Sequence, residues 1–124
     1  MTTKKAILVV EDDHLVRQML HEALENDYEV FLAADGFDGM QCYERHGARI
    51  AVVVTDVTMP RLNGVELMEW LRRQTQWLPV VFMTAYGGDS DLDRWLQEPA
   101  VELLLKPFEM RELLTTLNRL TAAH

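Results

Sequence analysis

The sequence predicts an α/β domain: five parallel strands with helices on both faces of the sheet. Three features of the chain point there. Apolar, strand-like runs alternate five times with segments of helical periodicity, the pattern of βαβ units. Several runs, such as AILVV and IAVVVT, are continuously apolar rather than alternating, which suits strands covered on both sides. Gly, Pro, Asn and Asp fall between the runs, where turns and caps need them.

Taken in order, Ala6 to Val10 is the first strand. Leu15, Val16, Met19, Leu20, Ala23 and Leu24 then recur at three- and four-residue spacing, so one helical face should be buried. Glu29 to Ala33 is the second strand, and Gly36 to His46 the second helix, with Gly47 at its C′ position. Ile50 to Thr55 is the third strand, and Val65, Met68, Leu71 and Arg72 continue as a helix after Gly64. Pro79 to Thr84 is the fourth strand, followed by a loop over Ala85, Tyr86, Gly87 and Gly88. Asp89 or Ser90 can cap a short helix carrying Leu92, Trp95 and Leu96, which Pro99 must end. Val101 to Leu105 is the fifth strand. A last helix starts near Phe108, apolar at Leu113, Leu114, Leu117 and Leu120. Crossovers should be right-handed.

The 124 residues suit a single domain over 1–124, with an ordered core of about 6–122 and room for a core without staples. A formal charge of −8 argues against binding nucleic-acid backbones or anionic membrane surfaces. Cys42 is the sole cysteine, so no internal disulfide forms and a reducing, cytoplasmic setting is the simple expectation. No apolar run nears the roughly 18 residues of a membrane span, and the run after the basic start is too short for a signal peptide.

In an open parallel sheet, ligands bind beyond the carboxyl ends of the strands. The first strand ends in Glu11, Asp12 and Asp13, the third in Asp56, the fourth in Thr84, and the fifth in Lys106 and Pro107. Taken singly, each is an ordinary turn, cap or strand residue. Together, four of five strand ends carry complementary chemistry. Crowded carboxylates repel unless a positive charge sits among them, and a hard cation such as Mg²⁺ suits an all-oxygen cluster. With the Lys106 ammonium and the Thr84 hydroxyl, such a cluster fits a phosphoryl group. Asp56, alone at its strand end, is the candidate nucleophile.

These residues, in the segments ILVVEDD, DVTMPRLNG, MTAYGG and LLLKPF, resemble the receiver domain of two-component response regulators over essentially the whole chain. The resemblance implies a flavodoxin-like (βα)5 fold with strand order 2-1-3-4-5, as in chemotaxis regulators. It implies that Asp56 accepts a phosphoryl group from a sensor histidine kinase or histidine phosphotransfer protein. Glu11, Asp12, Asp56 and the Thr58 backbone carbonyl would hold Mg²⁺, with Asp13 outside the ligand set. Thr84 and Lys106 would contact phosphoryl oxygens, and the Lys106–Pro107 bond should be cis. Such a domain is a phosphoacceptor that promotes its own phosphotransfer and slow dephosphorylation rather than an enzyme. It would signal to an output partner through the face of the fourth helix, fifth strand and fifth helix, as a monomer or a phosphorylation-dependent dimer.

Two positions depart from the pattern. Leu103 stands where an aromatic switch residue is usual, and Pro99-Ala100 replaces a usual Gly-Ala. Because exposing a leucine forfeits about 1.5–3 kcal/mol, Leu103 is expected to stay buried, leaving the loop after Thr84, with Tyr86, to respond. Three rival readings are weaker. A haloacid-dehalogenase-type phosphatase needs an acid where Thr58 stands. A flavodoxin-like electron carrier needs a phosphate loop where three acids follow the first strand. A degenerate receiver acting as a scaffold sits poorly with the intact acids, Thr84 and Lys106. The Asp35 to Gly39 stretch lacks the spacing of a calcium loop and reads as a turn. His14 and His21 read as solvated surface.

Overall fold

A computed structural model describes residues 4–85 and 90–122. Five strands, β1 (Ala6–Val10), β2 (Glu29–Ala33), β3 (Ile50–Asp56), β4 (Val80–Thr84) and β5 (Val101–Leu105), alternate with five helices. These are α1 (His14–Leu24), α2 (Gly36–His46), α3 (Gly64–Gln74), α4 (Ser90–Trp95) and α5 (Met110–Ala122). The sheet is parallel throughout, in the order β2-β1-β3-β4-β5.

The continuous apolar runs are explained by two cores, one on each face. Leu8, Val10, Val53, Val80 and Phe82 point to one side, against Leu67, Met68 and Leu71 of α3 and Leu92 of α4. Their chain neighbours Ile7, Val9, Val52, Val54, Val81 and Met83 point to the other, against Leu20 and Leu24 of α1 and Leu113, Leu117 and Leu120 of α5. Full burial of such a side chain stabilises by about 1.5–3 kcal/mol, so a polar residue in the strand interiors would be costly. In β1, β3 and β4 the polar residues wait at the ends.

Local signals set the helix starts. Asp13 caps α1, accepting from the amides of Leu15 and Val16 at 2.9 and 3.0 Å. Asp35 caps α2 through the Asp38 amide at 2.8 Å. Asn63 and Glu66 form a reciprocal capping box on α3, a device whose loss typically costs about 1 kcal/mol.

Several expectations shift. β3 runs one residue further than expected and includes Asp56, because that residue still pairs with Met83 of β4. β4 starts at Val80: Pro79 has no N–H to contribute, although its carbonyl accepts from Val53 at 3.0 Å. α4 ends at Trp95, before Pro99, and α5 begins at Met110 rather than Phe108. Gly47 is not a left-handed C′ residue; its φ of −52° continues into a 3-10 turn. A Cβ there would instead meet the Tyr43 ring at 2.9 Å. On α1, Leu15 and Met19 are exposed while Leu20 and Leu24 carry the burial. Leu103 is half-buried against the first core rather than buried. The Tyr86, Gly87 and Gly88 loop and the Asp89 cap lie outside the described residues. No helix among the described residues is long and apolar enough to cross a membrane.

Candidate functional site

β1 and β3 are neighbours at the centre of the sheet, so their carboxyl ends meet. The backbone amide of Glu11 bonds the Ala33 carbonyl of β2 at 3.0 Å. This draws Glu11 inward, where it is 1% exposed. Its carboxylate accepts from the Asp13 amide at 3.0 Å. Asp56, 8% exposed, closes β3. Immediately after it, the Val57 amide bonds the Met83 carbonyl at 3.0 Å, tying the base of the β3–α3 loop to β4.

Lys106 follows β5 and is anchored by its amide to the Thr84 carbonyl at 2.8 Å. Its ammonium donates to Asp56 Oδ2 at 2.8 Å and to Glu11 Oε1 at 3.1 Å. The Lys106–Pro107 bond is cis. Thr84 is buried at the end of β4 and pairs with Leu105 across the ladder. Thr58 is exposed in the β3–α3 loop. Asp12 is exposed, and Asp13 serves as a helix cap.

The charges do not balance. Glu11, Asp12 and Asp56 each offer a carboxylate oxygen, and these oxygens lie within 4.8 Å of one another. Among the described residues, one ammonium, that of Lys106, faces them. Burial pushes the Glu11 carboxyl above its ordinary value, the Asp13 amide opposes the rise, and the charge of Asp56 adds to it. For Lys106, burial works against the ammonium, but hydrogen bonds and attraction from Asp56 and Glu11 outweigh it and raise its pKa. An all-oxygen, net-negative cluster with an exposed member fits a hard divalent cation that keeps part of its water.

Sequence reasoning missed two arginines, one beside this cluster and one on the loop that leaves Asp56. Arg17 of α1 donates to the carbonyls of Glu11 at 2.8 Å and Asp12 at 3.4 Å, holding the acidic turn from outside. Its place one turn into the helix after the acids is the signal that was available. Arg61, in the β3–α3 loop, reaches Asp35 at the start of α2.

The response regulator receiver domain family matches residues 7–118 of this sequence. The chain belongs to that family. The receiver is 39% identical over 115 residues to the response regulator MprA of a Mycobacterium species, covering 92% of this chain and 49% of that protein. It is 34% identical over 119 residues to a probable transcriptional regulatory protein of Picosynechococcus, covering 91% and 47%. It thus spans about half the length of these curated relatives. Among solved structures, the chemotaxis protein CheY4 of Vibrio cholerae superposes with a TM-score of 0.85 at 30% identity, covering 95% of this receiver and 99% of that chain. A putative response regulator of Chloroflexus aurantiacus gives 0.84 at 30% identity, covering 97% and 99%.

Proposed function

We propose that Asp56 is the phosphoacceptor of this receiver, taking the phosphoryl group from the phosphohistidine of a sensor histidine kinase or a histidine phosphotransfer protein. The observation that carries this reading is a buried strand-end carboxylate within 2.8 Å of the Lys106 ammonium and inside a cluster of three acids. An Asp56 carboxylate oxygen attacks phosphorus, the P–N bond breaks, and its electron pair returns to the imidazole. The acyl phosphate is held by rearranging existing contacts. Lys106 exchanges a carboxylate partner for a phosphoryl oxygen, and the Thr84 hydroxyl donates to another. Glu11, Asp12, Asp56 and the Thr58 carbonyl are the residues to hold Mg²⁺, whose positive charge offsets the charge of the phosphoryl oxygens. Hydrolysis of the acyl phosphate by water returns the free acid slowly, so the domain acts as a timed switch rather than a turnover enzyme. The face built from α4, β5 and α5 is the surface expected to differ for an output partner, with phosphorylation-dependent dimerisation as one form of that output.

The experiment is incubation with acetyl phosphate and Mg²⁺, read by intact mass. One acid-stable, base-labile phosphoryl per chain is expected. Undiminished labelling of Asp56→Ala rules the assignment out.

A further inference from the structure

Arg61 is a non-glycine residue at φ 67°, a left-handed conformation that is strained for a side-chain-bearing residue and persists only where its surroundings enforce it. The loop carrying it runs from Asp56 to the α3 cap, and so contains Thr58. The enforcement comes from the start of α2. Arg61 Nε donates to Asp35 Oδ2 at 2.7 Å, a second guanidinium nitrogen lies 3.6 Å from Asp38, and the guanidinium sits 5.4 Å from the centre of the Phe37 ring. Next to it, the Gly36 amide donates to the Leu62 carbonyl at 3.1 Å. A Cβ on Gly36 would stand 2.4 Å from that same oxygen. Asp35 is committed on both sides, capping α2 with one oxygen and holding Arg61 with the other. Arg61 is largely exposed, where a lone ion pair is worth little. Its contribution is therefore geometric: a planar group fixed by two carboxylates and a ring.

We infer that Arg61 is a positioning residue for the cation site, a brace from α2 that locks the β3–α3 loop in the shape presenting Thr58 beside Asp56. This rests on the reading that the acidic cluster holds Mg²⁺. Outer groups that orient metal ligands typically change affinity by about 10–100-fold. As Arg61 acts on one ligand of an open site, a loss at the low end, roughly tenfold, is expected.

The test is calorimetric Mg²⁺ titration of wild type, Arg61→Ala, Arg61→Lys, Asp35→Asn and the Arg61→Ala/Asp35→Asn double variant, with amide exchange at Gly36 and Leu62 measured without metal. Asparagine keeps the α2 cap while removing the charge that holds Arg61. Arg61→Ala and Asp35→Asn should each weaken Mg²⁺ roughly tenfold and speed exchange at both amides. The double variant should be no worse than Arg61→Ala, and lysine should rescue poorly because it lacks the planar fork. Mg²⁺ affinities within twofold of wild type in both single variants overturn the brace, even if thermal stability falls. If Arg61→Ala does not fold, Asp35→Asn decides by the same criterion. A wild type that binds no Mg²⁺ overturns the cation reading and the inference with it, and is distinguished from failure of the brace alone by the wild-type titration.

Discussion

A Cβ placed on Gly64 would stand 2.3 Å from the carbonyl oxygen of Asp56 and 3.0 Å from the Cα of Val57. The first residue of α3 therefore abuts the backbone at the end of β3, and the Gly64 amide bonds the Val57 carbonyl at 2.9 Å. Gly64→Ala must push α3 or the tip of β3 aside. It should cost about 1–3 kcal/mol in urea denaturation and slow acetyl phosphate labelling. Wild-type values of both quantities would show that the contact relaxes freely.

Lys106→Ala should behave differently with and without metal. Removing the ammonium leaves Glu11 and Asp56 facing each other with their counter-charge gone, a penalty of about 1–3 kcal/mol in chelator. Mg²⁺ should restore more stability to this variant than to wild type, since the cation replaces the missing charge. Beryllofluoride should perturb the variant less widely than wild type, because differential contact is what shifts a population. Equal stabilisation by Mg²⁺ in the two proteins would contradict the shared role.

The pH dependence of stability should depend on the cation. Glu11 has a folded-state pKa above its ordinary 4.5, caused first by burial. Its protonation therefore favours the fold: that contribution is complete below about 4.5 and is lost as pH rises through the raised value. Metal binding needs the carboxylate, so stabilisation by Mg²⁺ should shrink over the same interval as the pH falls. Asp35 works in a separate, more acidic window. Its pKa is lowered, first by the Arg61 hydrogen bond, so its contribution is present above 3.8 and disappears as pH falls through the lowered value. Melting temperatures in chelator and in Mg²⁺, measured from pH 4 to 8, check the first statement by their difference. A difference independent of pH would remove Glu11 from the ligand set.

Leu103 is half-buried on β5 and packs on the core shared by α3 and α4. Its truncation to alanine should cost about 1 kcal/mol, below the ~1.5–3 kcal/mol of a fully buried leucine. Beryllofluoride should leave its methyl rotamers unchanged while moving the amides of Thr84 and Ala85. A rotamer flip at Leu103 would mean that leucine performs the task of the usual aromatic.

The existence of the strands was legible because burial on both faces leaves continuous apolar runs, as at Ile7 to Val10, and because strand ends were the places where Glu11, Asp56, Thr84 and Lys106 broke them; the strand order came from the family resemblance alone. What stayed hidden depended on contacts between elements. Nothing local in the sequence marks Arg61 as reaching Asp35, whereas the place of Arg17 one turn beyond the acids was a local signal that went unused. The Asp35 to Gly39 stretch was read as a turn into the second helix; it is the N-cap and first turn of α2 itself, and its partner across the loop was invisible. Leu15 and Met19 followed helical periodicity but lie beyond the strip that α1 buries, since spacing identifies a face without fixing its width.

The ion pair between Lys106 and Glu11 joins residues 95 apart in sequence. Closing so long a span costs chain entropy before any contact returns it, and β5, which delivers the lysine, is an outermost strand of the sheet. The cluster thus has no local precursor: a chain that has paired β1 with β3 owns the acids but lacks the ammonium. The full constellation of acids and ammonium should therefore be completed late in folding, together with docking of β5.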